Sequence, residues 1–199
     1  SRLAEVALLS RPDDQPSALL EVCTLTPGTS FSLTRGSGNR HERSIMFCAL
    51  LEHFEIRPLR RRLTDLFREH VQNTDAWESG LEEIKGRGLV QAIVKAFHKE
   101  LEAISGDELS LLDQVKSAAR QRSDKHNDAK RDLLRQLRVK FAQACAGHLR
   151  ADLFILDEFQ RFDSLLDQNE ENEQSLIARQ IFSETRRDHI LLLSATPFK

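Results

Sequence analysis

Two adjacent carboxylates, Asp157 and Glu158, directly follow a short apolar run, Leu-Phe-Ile-Leu at 153–156. A run this short and this apolar is typical of a strand buried on both faces of a parallel sheet. Ligands of such sheets lie just beyond the carboxyl ends of the strands. The sequence therefore predicts two acidic side chains beside a bound nucleotide. Asp157 could hold Mg²⁺ through a water molecule, and Glu158 could polarise the water that attacks a γ-phosphate.

A second apolar run of the same kind, His-Ile-Leu-Leu-Leu, occupies 189–193 and leads into Ser-Ala-Thr-Pro at 194–197. A helical pattern at 175–185 precedes it, and a helix followed by a strand at this length is what a β-α-β unit requires. The alternative interpretation of both runs is a pair of core strands in an unrelated α/β protein. Many buried strands end in acidic residues, so the first run alone does not decide between the two.

Together, Asp-Glu-Phe-Gln at 157–160 and Ser-Ala-Thr at 194–196 resemble motif II (Walker B) and motif III of the superfamily 2 helicases and translocases. The resemblance implies ATP and Mg²⁺ as cofactors, with Asp157 at the metal and Glu158 as the catalytic base. It also assigns Gln160 to nucleotide binding. In that family, motif III links the ATP site to nucleic-acid binding. The residues that inherit this coupling role are Ser194, Ala195 and Thr196.

A Pro-Gly turn rich in small hydroxyl residues follows a strand predicted at 18–26. Such a turn presents backbone amides and short donors that can bind phosphates without reading bases; the alternative is an ordinary structural turn. Its placement resembles motif Ib of the same superfamily, which contacts the nucleic-acid backbone. The resemblance implies a nucleic-acid partner, with DNA favoured over RNA. The residues assigned to this contact are Thr26, Pro27, Gly28, Thr29, Ser30 and Arg35.

The stretch from 57 to 150 has helical periodicity throughout, whereas 18–26, 152–157 and 189–195 read as strands, the last two parallel. Residues 2–9 could form a strand or a short helix, and Asn39 with Glu42 forms a capping box that predicts a helix over about 40–55. Together with the resemblance to superfamily 2, which implies a RecA-like motor domain, these patterns predict an α/β fold, a partial RecA-like parallel sheet with a large all-helical insertion. The predicted domains are 1–56 and 151–199 as two parts of a motor domain and 57–150 as the insertion.

Two basic clusters lie within the helical stretch. The first contains Arg57, Arg60, Arg61 and Arg62, and the second, at 120–140, holds eight Lys or Arg against three Asp. Either cluster could neutralise phosphates. The alternative for each is a solvated helix face with acidic neighbours.

Composition excludes some classes of protein. Net charge is −2, so any nucleic-acid surface must be local. No apolar run approaches the roughly 20 residues that span a bilayer, which predicts no membrane partner. The three cysteines, Cys23, Cys48 and Cys145, are scattered and odd in number, which indicates a reducing cytoplasm rather than a disulfide framework.

Two parts of the superfamily pattern do not occur in these 199 residues: the Gly-x-x-x-x-Gly-Lys-Ser/Thr loop and a second RecA-like domain with its arginine finger. Within the superfamily, the sequence looks most like large bacterial Swi/Snf-related helicases. We therefore expect a partial piece of a larger ATPase, inactive alone, that works with the remaining motor domains of the same parent chain. The competing hypothesis is a non-enzymatic helical module that binds nucleic acid or protein.

Overall fold

The structure is a computed structural model that describes residues 2–9, 22–25, 38–68, 73–104, 109–120, 127–149, 153–157, 173–182 and 189–193. About three quarters of these residues are helical. The described α-helices are α1 (Arg40–Leu51), α2 (Arg60–Arg68), α3 (Thr74–Arg87), α4 (Gln91–Glu102), α5 (Leu111–Arg120), α6 (Asn127–His148) and α7 (Glu173–Ile181). Two 3₁₀ helices span Arg2–Ala7 and Arg57–Leu59, and the described strands are β1 (Val22–Leu25), β2 (Leu153–Asp157) and β3 (His189–Leu193).

The predicted fold class, α/β with a partial RecA-like sheet, is wrong. Helices dominate, and the described sheet has only three short parallel strands in the order β1-β2-β3. The error came from treating two short apolar runs as strands buried on both faces. In the structure β2 buries only alternate side chains, and every residue of β3 is exposed. Burial is instead concentrated in the helices, which supply most of the core.

Several local predictions are confirmed. Strands occur in all three predicted ranges, and β2 and β3 are parallel. The described part of 57–150 is helical apart from short connections and one isolated antiparallel bridge between Leu8 and Leu89. Residues 2–7 form a 3₁₀ helix rather than a strand. The domain boundaries at 56 and 150 stay predictions.

Aromatic side chains hold the helices together at two places. Phe47 of α1 lies 5.0 Å from the ring centroid of Phe67 in α2 and 5.8 Å from that of Trp77 in α3. Phe97 of α4 meets Phe141 of α6 edge-on at 5.1 Å. All five rings are fully buried. Burying a side chain of this size contributes about 1.5–3 kcal/mol, so these contacts position the helices relative to one another.

The longest described helix, α6, lies at the centre of the fold. Its residues Leu134, Leu137, Phe141 and Cys145 are buried at steps of three and four, as one face of a helix requires. The helix packs against α4, the first 3₁₀ helix and α7. The same element therefore joins the helical core to the sheet side of the molecule.

A buried ion pair connects the start of α1 to α6. Nη2 of Arg138 lies 3.2 Å from Oε2 of Glu42, and the two side chains are only 2% and 4% exposed. Asn39 caps α1 as predicted, because its side chain accepts a 2.8 Å hydrogen bond from the backbone N–H of Glu42. Gly38 lies directly against the ion pair with a φ of +84°. The sequence places Glu42 in a capping box, whereas in the structure its carboxylate is bound to Arg138.

A pair of histidines lies between the end of α1 and α4. His98 Nε2 donates a 2.9 Å hydrogen bond to the carbonyl oxygen of Ala49. The ring of His53 packs edge-on against it at 5.0 Å, and His53 Nε2 lies 3.0 Å from Oε1 of Glu102. Burial, followed by the nearby His53, lowers the pKa of His98, while the hydrogen bond to Ala49 opposes the shift. His98 is therefore held in its neutral form in the folded protein.

None of the helices within the described ranges is both long and apolar enough to cross a bilayer.

Gly38→Ala should lower the free energy of unfolding by about 2–4 kcal/mol, measured by urea denaturation. A Cβ there would lie 2.5 Å from Arg138 Nε and 2.8 Å from Glu42 Oε2, on a backbone whose φ disfavours L side chains. Gly86→Ala is the matched control, because no atom lies within 4 Å of its Cβ position and the residue lies in α3. The control should be neutral or stabilising by up to about 1 kcal/mol. Equal effects of the two changes would contradict the role of Gly38.

Acidification should destabilise the protein through His98. The unfolded chain binds a proton near the ordinary pKa of about 6.5, whereas the folded ring resists protonation. The stability that neutral His98 contributes is therefore present above this unfolded-state pKa. It is lost as the pH falls below that value and then through the lower pKa of His98 in the folded protein. Between about pH 7.5 and 5.5, His98→Gln should show a smaller fall in Tm than wild type. The pKa values of the carboxyls of Asp113 and Asp132 are lowered, so these groups affect stability at lower pH. Identical pH profiles of His98→Gln and wild type would contradict the assignment to His98.

Candidate nucleotide site at the sheet edge

The register of the three strands brings their carboxyl ends to one edge of the sheet. Leu25 of β1 pairs with Leu156 of β2, and Asp157 of β2 pairs with Leu193 of β3. All three strands run in the same direction. In the sequence, Thr26, Glu158 and Ser194 follow directly after these strand ends. The strand ends that precede the three predicted motifs therefore lie beside one another, although the first two are far apart in the chain.

Asp157 is the predicted site residue that the structure describes. It ends the central strand and is partly exposed, so its carboxylate occupies the position where ligands of parallel sheets bind. The other predicted site residues lie outside the described ranges. They are Glu158 and Gln160 of the first motif, Ser194, Ala195 and Thr196 of the second, and Thr26, Pro27, Gly28, Thr29, Ser30 and Arg35 of the turn and the loop after it.

Phe154 and Leu156 attach the central strand to the helical core. Both are buried, whereas Leu153, Ile155 and Asp157 between them are partly exposed. Phe154 meets Phe182, which follows α7, edge-on at 5.7 Å. Because side chains of a strand alternate between its two faces, Phe154 and Leu156 face the core and Asp157 belongs to the opposite set. Packing of α7 against α6 completes the connection to the bundle.

The exposed apolar residues of β3 were not anticipated by the sequence. Ile190, Leu191, Leu192 and Leu193 are between 42% and 52% exposed, and Val22 of β1 is 47% exposed. An apolar run at a strand position predicts burial on both faces. The protein buries Phe154 and Leu156 of β2 but leaves their pairing partners in β3, Ile190 and Leu192, about half exposed.

The carboxylate of Asp157 fits the requirements of Mg²⁺. This ion is usually held by one or two carboxylates together with waters and substrate phosphates. No group of three or more His, Cys, Asp or Glu side chains with metal-binding geometry occurs among the residues that the structure describes. A single carboxylate such as that of Asp157 is the kind of ligand that a site shared with substrate phosphates uses.

The two described thiols are not suited to nucleophilic chemistry. Cys48 and Cys145 are both free. Burial raises the pKa of Cys48 to about 11, and burial also raises the pKa of Cys145. Because the thiolate is the reactive form, both cysteines are packing residues.

Sequence reasoning missed a concave site in the helical part of the molecule. A cavity of about 540 Å³ lies between α1, the second 3₁₀ helix and the end of α3. Its basic residues are Arg57 and Arg60 from the first basic cluster and Lys85 from α3. Lys85 lies outside any run of basic residues, so only the fold shows that it joins the two arginines.

No protein family, curated protein or solved structure matches this chain. The interpretation of the sheet edge therefore depends on the sequence motifs and on the strand register.

Phe154→Ala should lower the free energy of unfolding by about 3–5 kcal/mol, because it removes a fully buried ring and leaves a cavity. Leu191→Ala in β3 is the matched control, since that side chain is already 45% exposed; it should cost less than about 1 kcal/mol. Denaturant titration of both variants measures the difference. A larger loss for Leu191→Ala would contradict the view that Phe154 anchors the sheet.

Proposed function

We propose that the chain carries part of the ATP site of a nucleic-acid-dependent ATPase of the superfamily 2 helicase and translocase type. The observation that supports this most strongly is the strand register. Leu25, Asp157 and Leu193 lie at one edge of a parallel sheet, and each is followed by the residues of a different motif. Parallel pairing places these three strand ends at one edge of the sheet, which is the arrangement that the proposed ATP site requires.

The proposed chemistry at this edge is attack of water on the γ-phosphate of ATP. Asp157 holds Mg²⁺ through a water, and the bound ion supplies positive charge against the phosphates. Glu158 accepts the proton of the attacking water and orients it. Gln160 contributes to nucleotide binding.

The proposed nucleic-acid contact lies at the same edge, after β1. Thr26, Gly28, Thr29 and Ser30 supply neutral donors to the phosphate backbone, Pro27 shapes the turn, and Arg35 supplies charge. Residues Ser194, Ala195 and Thr196 connect this contact to the ATP site. DNA is the favoured nucleic acid. The adjacency of β1, β2 and β3 supports this proposal, since the strands that precede the three motifs are neighbours in one sheet.

The proposed ATPase needs groups that these 199 residues do not contain. A phosphate-binding Gly-Lys-Ser/Thr loop and an arginine finger would come from the remaining motor domains of the same parent chain. The two described cysteines are free thiols, which supports a reducing cytoplasm as the compartment.

A second candidate function is a non-enzymatic helical module that binds nucleic acid or protein. The observation in its favour is that helices supply most of the buried core, while the sheet has three short strands. The two candidates differ in one requirement. Only the ATPase needs the carboxylates at 157 and 158.

In the parent chain, Glu158→Gln should reduce nucleic-acid-stimulated ATP hydrolysis by about a hundredfold or more while leaving Mg²⁺–ATP binding largely intact. The change keeps the size of the side chain and removes its ability to accept a proton. Asp157→Ala should weaken Mg²⁺-dependent ATP binding as well. Steady-state hydrolysis and binding of a fluorescent ATP analogue measure the two effects.

Glu173→Gln is the control, because it also neutralises one glutamate near this end of the chain but lies at the start of α7. It should hydrolyse ATP at the wild-type rate. If Glu158→Gln also did so, the helicase-type assignment would be abandoned in favour of the helical module.

A further inference from the structure

The cavity of about 540 Å³ in the helical part of the molecule is lined by both basic and apolar side chains. The basic residues are Arg57, Arg60 and Lys85, and the apolar ones include Leu51, Ile84 and Leu89. This volume lies in the range of sites that bind small organic groups. This lining suits a ligand in which an anionic group is attached to a less polar group.

The arginines of the first basic cluster are not neutralised by the described part of the protein. Arg57, Arg60, Arg61 and Arg62 are all exposed, and none of them forms an ion pair with another described residue. Glu52 at the cavity accepts a 2.9 Å hydrogen bond from Gln91. Lys85 pairs with Glu82. Among the described lining residues, three cations therefore stand against the one carboxylate of Glu52, so the lining as a whole is positive.

The second basic cluster is different, although its composition is similar. Arg131 and Arg135 pair with Asp128 and Asp132 on the same helix. Arg138 pairs with Glu42, and Lys140 pairs with Glu100. The fold therefore pairs these four cations with carboxylates, whereas it pairs none of the four arginines of the first cluster with a described carboxylate.

The position of the first cluster in its helical segment also favours an anion. Arg60, Arg61 and Arg62 occupy the first turn of α2, which contains no acidic residue, and Arg57 lies in the 3₁₀ helix just before it. The amino end of a helix carries partial positive charge, so cations there are unfavourable and anions are stabilised. A bound phosphate would relieve repulsion among four arginines and that helix end.

An exposed aromatic residue immediately precedes the cluster. Phe54 is 77% exposed, and two residues separate it from Arg57 in the sequence. Its ring stacks on His53 at 5.1 Å with an interplanar angle of 15°, which fixes its orientation. A fixed, exposed aromatic ring beside arginines is the combination that binds unpaired bases together with their phosphates.

We infer that the cavity rim formed by Arg57 and Arg60, together with Arg61, Arg62 and Phe54, is a second binding surface for a single-stranded nucleic acid. Phosphates bind the arginines, and an unpaired base stacks on Phe54. The surface shares its partner with the proposed function but none of its residues.

The test measures binding of a fluorescein-labelled 20-nucleotide single-stranded DNA of mixed sequence to the 199-residue chain by anisotropy at several salt concentrations. Arg57→Ala/Arg60→Ala should weaken binding and lower the salt slope by about 1.4 units, since each phosphate contact on a single strand contributes about 0.7. Phe54→Ala should weaken binding about tenfold with little change in slope. Arg131→Ala/Arg135→Ala is the matched control and should leave the slope unchanged, because aspartates already neutralise those arginines.

Three outcomes would overturn the inference: a wild-type slope in Arg57→Ala/Arg60→Ala, an equal loss of slope in the control, or binding of a duplex of the same sequence as tight as that of the single strand. Arg57→Lys/Arg60→Lys should retain most of the slope, and both double variants should keep a Tm within about 2 °C of wild type because the side chains are exposed. If both double variants lost binding and also had a much lower Tm, the arginines would be structural residues, and this result would also overturn the inference.

The same assay separates this inference from the proposed function. Loss of slope in Arg35→Ala but not in Arg57→Ala/Arg60→Ala would leave the sheet-edge contact standing and reject the cavity. Loss of slope in Arg57→Ala/Arg60→Ala but not in Arg35→Ala, combined with wild-type hydrolysis by Glu158→Gln, would support binding at the cavity and reject the proposed ATPase.

Discussion

Burial of α6 on more than one side is the constraint on which the rest of the structure depends. Phe141 contacts Phe97 of α4, and the helix also packs against α7 and the first 3₁₀ helix. Through α7, it supports the face of β2 that carries Phe154 and Leu156. A shift of α6 would therefore move α4 and the sheet edge together, because protein interiors are close-packed and transmit displacement.

The helices were predictable because their signal is local. Leu134, Leu137 and Phe141 recur at helical spacing, and the structure buries all three. The cap at Asn39 was equally readable, since its acceptor is three residues from the amide it binds. Strand positions were predictable for the same reason. The extent of the sheet was not, because an apolar run such as 190–193 has the same pattern whether or not another element covers it.

Contacts between distant parts of the chain escaped sequence reasoning. Glu42 is a normal capping-box residue in the sequence, yet its partner in the structure is Arg138 of α6. Likewise, the two basic clusters look alike in composition. One difference between the clusters could be predicted from the sequence. In the second cluster, Asp128 and Asp132 precede Arg131 and Arg135 by three residues, which is the spacing of an ion pair on a helix. The pairing of Lys140 with Glu100 and the position of Lys85 beside Arg57 and Arg60 required the fold. At the sheet edge, the sequence predicted the motifs, but only the register showed that the strand ends before them are adjacent.

The pairing of β1 with β2 has a consequence for the order of folding. Val22 pairs with Leu153, so the chain must close a loop of roughly 130 residues before this part of the sheet forms. The helices between them depend mainly on contacts nearer in sequence, which form faster. During synthesis, β1 leaves the ribosome long before β2 exists. We therefore expect the helical bundle to form first and to bring the two strands within reach, so that the edge that carries Asp157 is assembled last.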